Sequence, residues 1–434
     1  MGYSIFTFRF ISLCFGLLTL YFTYKLSLAV FNSARSAALT ALLLALDIQF
    51  IYASHFARQE IIILFILVLG LWYKITNYNA DALKHDMILG VLIGLSIGIH
   101  PNSFIISLPF VLIYIYEIFL LKERKFRSLA TFITPVVCFA SSFVALSMYF
   151  DPNFITNYSN YGSEFDVFDP ITSKLGQIKF FYLKLFYQVS GTYYTPDIRF
   201  QLFLFAAVLL ISIFKLLRNK NNDSLNRKVI FIILSIAAAN AGIILIGRFN
   251  QTSIVFLFPL FYLLVAYILE SLSSKYTKAI PAILVIILAV LTLSNYSAYK
   301  DNSYNKYLNE ISRTIKPWDE TLGNLNTEYY FDNGKLHDYR NLAYLKDKDM
   351  SFEEYVRDND IKYIIFSEEL DLIHELQPKW DGIYGTMDYY DEMKSFLKNN
   401  CKLQDEFTDR YYGIRIVRYI GLKDWKIRIY KVSY

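Results

Sequence analysis

Before Tyr299 the chain is a succession of apolar runs: Ile5–Ala29, Ala37–Ala53, Ile61–Tyr73, Met87–Ile99, Phe104–Leu121, Leu129–Phe150, Leu202–Leu217, Val229–Gly247, Ile254–Leu269 and Ala279–Ser294. We read each as a membrane span. Several fall short of the ~20 residues that cross a bilayer unaided, so tilt, kinks or polar flanks are expected to extend them. Met87–Ile99 is the weakest of the set. After Tyr299 charged residues recur every few positions. There Phe352–Asp358 reads as a short helix, Lys362–Phe366 as a buried strand and Asp388–Asn399 as a helix, while Tyr411–Tyr430 is rich in strand formers. The expected fold is mainly α: a polytopic transmembrane helical bundle of about ten spans over residues 1–298, with a long outer loop at 151–200. A small soluble α/β C-terminal domain over 299–434 follows it.

Composition agrees with that division. The chain is 55% hydrophobic and 18% aromatic, above the ~45–50% apolar share of ordinary soluble domains. The net charge of +5 says less than its placement. Lys122, Arg124, Lys125 and Arg127 form one short-loop cluster; Lys215, Arg218, Lys220, Arg227 and Lys228 form another, and Lys275 with Lys278 a third. Even numbers of spans separate them, so one face collects them all and is cytoplasmic. The other face receives Ser54–Glu60, the His100-Pro101 turn, Asp151–Phe200, Arg248–Ser253, the tail and Met1. Three cysteines, Cys14, Cys138 and Cys401, make no disulfide framework or zinc spacing. The basic, low-complexity arms of nucleic-acid binders are missing.

Polar residues at the outer helix ends are the candidates for chemistry. Arg58 and Glu60 stand next to hydrocarbon, where charge is expensive unless paired or wet. They form either a phosphate-facing arginine with an orienting or metal-binding carboxylate, or two charges snorkelling to the surface. Asp47, inside the second span, is either an active-site acid or base or a buried structural partner for Arg9 or another helix. Gly90, Gly94 and Gly98 repeat at four-residue intervals, a packing pattern, ahead of His100. That histidine could bind phosphate or metal, or be an ordinary interfacial residue. Gln177–Gln188 reads as an amphipathic helix on the membrane, and Arg248 is a third outward cation. Asn157, Asn250 and Asn295 each open an N-x-S/T triplet of the kind chance supplies readily.

In order, Arg9-Phe10-Ile11-Ser12 with Gly16–Leu20, Ala37–Leu46, Ser54–Glu60, Gly90–Gly98 before His100-Pro101, and Arg248 before Phe258-Pro259-Leu260 resemble the polytopic GT-C glycosyltransferases. The nearest likeness is to the family-39-like group related to protein mannosyltransferases and aminoarabinose transferases. That resemblance implies a membrane glycosyltransferase of the cell envelope, in the plasma membrane with its tail extracytoplasmic. It would move a sugar from a polyprenyl-phosphate-linked donor to a glycan, lipid or protein acceptor, contacting membrane lipid and no nucleic acid. It also implies an aspartate base in the first outer loop, cations on the leaving phosphate and, in some members, a divalent metal, for which no ligand set is legible. Arg58, Glu60, His100 and Arg248 are the substrate-binding residues it points to. In the family a span and the acidic loop precede the helix matching Ile5–Ala29. The catalytic aspartate is therefore expected ahead of Met1, and the chain is expected to be an N-terminally truncated copy. The competing readings are a lipid or polysaccharide transporter or flippase, which would favour internal repeats, and a non-catalytic scaffold subunit.

Overall fold

The computed structural model describes residues 5–56, 58–78, 82–100, 103–164, 167–188, 196–218, 224–247, 249–271, 279–297, 304–345, 348–376, 389–409 and 424–433. Two compact units emerge. Phe6–Tyr187 with Pro196–Asn295 form one, and Tyr296–Tyr434 form the bulk of the other.

The first unit is helical throughout. Its elements are α1 (Ile5–Phe31), α2 (Ala34–Ala45), α3 (Ile48–His55), α4 (Glu60–Thr76), α5 (Ala82–Gly94), α6 (Ser103–Ile115), α7 (Phe126–Phe150), α8 (Phe154–Glu164), α9 (Ile171–Phe186), α10 (Arg199–Arg218), α11 (Ser224–Ile246), α12 (Phe258–Glu270) and α13 (Ala279–Ser297). A π-helical turn, Tyr116–Leu120, extends α6, and a 3-10 turn, Gln251–Leu257, leads into α12. Each of the ten apolar runs contains helix, although Leu95–Ile99 is turn and Ala37–Ala53 breaks at Leu46–Asp47; among the described residues seven helices are long and apolar enough to cross a membrane. The α2–α3 pair, bent by 67°, makes an eighth if the two helices count as one broken span. The expected spans Ile61–Tyr73 and Met87–Ile99 do not qualify. Their helices have 17 and 13 residues, roughly 26 and 20 Å at the α-helical rise, against a hydrocarbon core of ~30 Å. The protein is nonetheless a multi-pass membrane protein.

Small and polar residues let these helices close on one another, because backbones approach only where side chains are short. On α1, Ser12, Thr19, Thr23 and Ser27 are all buried and share a face at helical spacing. Ser27 reaches Thr40 on α2 at 3.1 Å. The glycine repeat on α5 packs against α7: a Cβ at Gly90 would lie 2.3 Å from the Phe132 carbonyl oxygen, and one at Gly94 2.6 Å from the Phe139 ring. Gly98 has open space around it. The turn leading into α12 and α12 itself are almost wholly buried, whereas α7, α10 and α13 turn large apolar side chains outward.

The second unit is built on a mixed five-stranded sheet, ordered β2-β1-β3-β5-β4. The strands are β1 (Thr321–Gly323), β2 (Leu336–Asp338), β3 (Tyr363–Ser367), β4 (Cys401–Asp409) and β5 (Trp425–Val432), with α14 (Tyr304–Ser312), α15 (Phe352–Asp358), α16 (Glu369–Leu376) and α17 (Tyr390–Asn400) around them. β3 pairs parallel with β1 and antiparallel with β5. Alternate strand residues face opposite sides, so Ile364 and Phe366 join Phe352, Val356, Met393 and Phe396 in one core layer. Ile365 joins Ile427, Ile429 and the α14 residues Tyr307 and Ile311 in the other. The unbroken apolarity of Tyr363–Phe366 follows from burial on both faces. Of the strand-forming stretch Tyr411–Tyr430, residues 411–423 lie outside the described residues; from Trp425 onward it is β5.

Candidate functional site

The α2–α3 bend is organised by Asp47. It stands at the N-terminus of α3, fully buried, and its Oδ1 accepts from the backbone N–H of Gln49 at 2.8 Å and Phe50 at 3.1 Å. Its Oδ2 accepts from Gln201 Nε2 at 3.1 Å on α10 and from the Tyr262 hydroxyl at 2.7 Å on α12. Asp47 therefore lies at a helix break, not inside a continuous span. The sequence offered Arg9 or another helix as its partner: Arg9 is exposed, and two other helices supply the contacts. Four donors converge on one carboxylate, which is how a buried charge is tolerated.

From that bend α3 leads to the predicted polar segment. His55 is exposed, its Nδ1 2.8 Å from the Ile51 carbonyl. Arg58 Nη2 lies 2.7 Å from Glu60 Oε1, so these two residues meet as the sequence suggested. Glu60 is buried in the first turn of α4, where the helix dipole favours negative charge. Its Oε1 also accepts from the Thr252 hydroxyl at 2.8 Å. Among the described residues its Oε2 is buried with no hydrogen-bond partner. Arg58 retains some exposure, its side chain 14% accessible. The arrangement is an arginine paired with a buried carboxylate and still partly accessible, a cation of the type that meets anionic oxygens.

Thr252 was not visible as a site residue. It reaches Glu60 because α11 ends just before it: Gly247 adopts φ 75°, a left-handed conformation that lets the chain leave the helix. Asn250 then caps the 3-10 turn through Oδ1, which accepts from Thr252 N at 3.1 Å. Lys174 of α9 is buried and donates to the Leu245 carbonyl at 3.0 Å near the α11 terminus. Tyr182 adds a hydroxyl bond to Asn240 at 2.6 Å. The amphipathic helix expected over Gln177–Gln188 is thus longer, starting at Ile171, and its inner face is bonded to α11.

His100 is half-buried in the coil before α6, its carbonyl accepting from Ser103 N at 2.9 Å. Arg248, Pro101 and Asn102 lie outside the described residues. Among the described residues no group of three or more His, Cys, Asp or Glu side chains could hold a metal ion.

A second buried polar cluster also escaped sequence reading. Lys74 Nζ meets Glu117 Oε2 at 2.8 Å and stands 3.8 Å from the centre of the Tyr114 ring. The Tyr114 hydroxyl donates to Asp86 at 2.5 Å. All four side chains are buried. The available signal was Glu117 within an apolar run, with Lys74 and Asp86 at the ends of two others; such residues are expensive in a membrane and therefore informative.

A family model, dolichyl-phosphate-mannose-protein mannosyltransferase, matches residues 2–155, the stretch that contains Arg58, Glu60 and His100. No curated protein matches the chain. Among solved structures, ArnT from Cupriavidus metallidurans bound to undecaprenyl phosphate is similar over 98% of this chain and 83% of its own, with TM-score 0.58 and 11% identity. The apo state of ArnT is similar over 97% and 83%, with TM-score 0.52 and 12% identity. The likeness read from the sequence is borne out at the level of fold: a helical membrane bundle followed along the chain by a small mixed α/β unit.

Proposed function

We propose that this protein is a membrane glycosyltransferase that takes a sugar from a polyprenyl-phosphate carrier and passes it to an acceptor hydroxyl. The supporting observation is the Arg58–Glu60–Thr252 arrangement, whose Arg58 and Glu60 lie within the stretch matched by the mannosyltransferase model, in a fold similar to that of ArnT bound to undecaprenyl phosphate. In the reaction the acceptor oxygen attacks the anomeric carbon, the bond from that carbon to the phosphate oxygen breaks, and the phosphate departs with the bonding pair. The acceptor proton passes to a base, a role that the family likeness gives to an aspartate of the first outer loop. Arg58 opposes the charge that grows on the departing phosphate. Glu60 and Thr252 set the plane and direction of its guanidinium. His100 and Arg248 are proposed to face the same anionic group.

The site is proposed to open on the outer side of the plasma membrane, with 1–298 as the membrane-embedded catalytic part and 299–434 as an extracytoplasmic soluble domain. The positive loops support that orientation. The two short helices α4 and α5 are consecutive, so counting both or neither as crossings leaves the Lys122–Arg127 loop on the same side. The acceptor is a hydroxyl of a glycan, lipid or protein.

The test is release of polyprenyl phosphate from a polyprenyl-phosphate sugar by the reconstituted protein with its first outer loop included. Acceptor-dependent release that collapses in Arg58→Ala supports the proposal. Release unchanged by Arg58→Ala, or no release by the wild-type protein, overturns it.

A further inference from the structure

Two chain segments run side by side in opposite directions and are joined at both ends. One runs from Asp47 through α3 to Glu60; the other runs from Thr252 through its 3-10 turn into α12 and Tyr262. At the site end the Thr252 hydroxyl bonds Glu60 at 2.8 Å. At the far end the Tyr262 hydroxyl bonds Asp47 at 2.7 Å. Between the joints α3 packs on the 3-10 turn. The far joint is tied further: Gln201 of α10 donates to the same Asp47 oxygen, and Thr292 of α13 donates to the Leu46 carbonyl at 2.6 Å.

We infer that Asp47 and Tyr262 are positioning residues for the Arg58 site, a reading that rests on the function proposed above. The bend at Asp47 sets the direction in which α3 delivers Arg58 and Glu60, and Tyr262 locks that bend to the segment that carries Thr252. Neither residue touches the transferred group. A slip at the far joint moves Glu60 relative to Thr252 and turns Arg58 away from the oxygen it must face, and reacting groups misplaced by about 1 Å can lose 10²-fold in rate. Asp47 is suited to this task because its capping oxygen and its bridging oxygen are different atoms. The bend and the lock are separable.

Tyr262→Phe therefore removes the lock and leaves the helix cap intact. Expected is a fall in kcat of roughly 10- to 100-fold with KM for the carrier little changed and a near-wild-type melting temperature. Thr252→Val should lose a similar factor, and the double variant no more than the worse single one, because both act through one geometry. Multiplying losses, or wild-type turnover by Tyr262→Phe, would overturn the inference. A second readout needs no activity. With Cys14, Cys138 and Cys401 replaced, Glu60→Cys and Thr252→Cys should cross-link readily, and adding Tyr262→Phe or Asp47→Asn should slow cross-linking several-fold. If the wild-type chain transfers no sugar while cross-linking still depends on Tyr262, the functional proposal fails and the positioning inference stands. If cross-linking ignores both substitutions, the positioning inference fails whatever the transfer rate.

Discussion

Thr252 and Glu60, 192 positions apart in the chain, share a hydrogen bond of 2.8 Å at the carboxylate that pairs with Arg58. The hydroxyl donates to the same carboxylate oxygen that meets the guanidinium. Glu60 is thereby held from two directions, and the arginine it orients becomes a fixed cation in place of a mobile surface charge.

Arg58→Ala should lower sugar transfer by roughly 10²-fold or more, the scale of one lost oxyanion donor. The loss should fall mainly on turnover, because the contact strengthens as charge develops on the phosphate. Arg58→Lys should recover only part of it, since a lysine cannot make a planar two-pronged contact. Steady-state kinetics on reconstituted protein measure both.

Removing one member of the Lys74–Glu117 pair should be more damaging than removing both. Lys74→Met leaves a buried carboxylate without its cation, a change that costs about 3–5 kcal/mol in comparable settings. Lys74→Met combined with Glu117→Leu should recover much of that. Thermal unfolding in detergent gives the order of the three proteins; a double variant no more stable than Lys74→Met would contradict it.

The α5–α7 contact makes opposite predictions for two glycines of one repeat. Gly90→Ala places a methyl against the Phe132 carbonyl, which is backbone and cannot swing aside; a loss of about 1–3 kcal/mol is expected. Gly98→Ala meets nothing within 4 Å and should stay within roughly 0.5 kcal/mol of wild type. Melting temperatures of the two variants decide this.

In the second unit Glu320 lies between Lys335 and His337, bonded to both. Burial works to raise its carboxyl, but the bonds from Lys335 and His337 outweigh it and hold Glu320 below the ordinary 4.5. A carboxyl depressed by folding contributes stability that is fully present above its unfolded value and disappears as pH falls through its folded value. Hydrogen exchange around β1 and β2 should therefore accelerate below the ordinary glutamate range. Glu320→Gln should weaken that pH dependence, and a variant with the full wild-type dependence would assign it to another group.

Single cysteines in a background lacking Cys14, Cys138 and Cys401 test the orientation. An impermeant thiol reagent on intact cells should label positions in Asp151–Phe200 and in the tail, and spare Lys122–Arg127. The opposite pattern would invert the proposed topology.

The helices were legible because a bilayer imposes a simple demand: a backbone in hydrocarbon must bond to itself, and its side chains must be apolar. The run Val229–Gly247 became α11 at Ser224–Ile246 on that ground alone. Gly90 and Gly94 announced a close packing, and Tyr363–Phe366 announced a strand covered on both faces. Arg58 and Glu60 were visible because charge beside hydrocarbon needs a reason. The three-residue strands β1 and β2 and the largely polar β4 carried no comparable pattern.

Only the tertiary structure decided which of these charges belong together. A hydroxyl such as that of Thr252 or Tyr262 costs little in the sequence pattern and marks no periodicity. It acquires meaning when a helix end or a bend brings a carboxylate within 3 Å, as Glu60 and Asp47 are brought here. Helix boundaries were decided the same way: apolar length marks a segment for the membrane, but where α4 starts and where the α2–α3 pair bends depends on what each packs against. Hydrophobicity is a property each segment carries by itself, whereas a hydrogen bond between Asp47 and Tyr262, 215 positions apart, exists only once the bundle has closed around it.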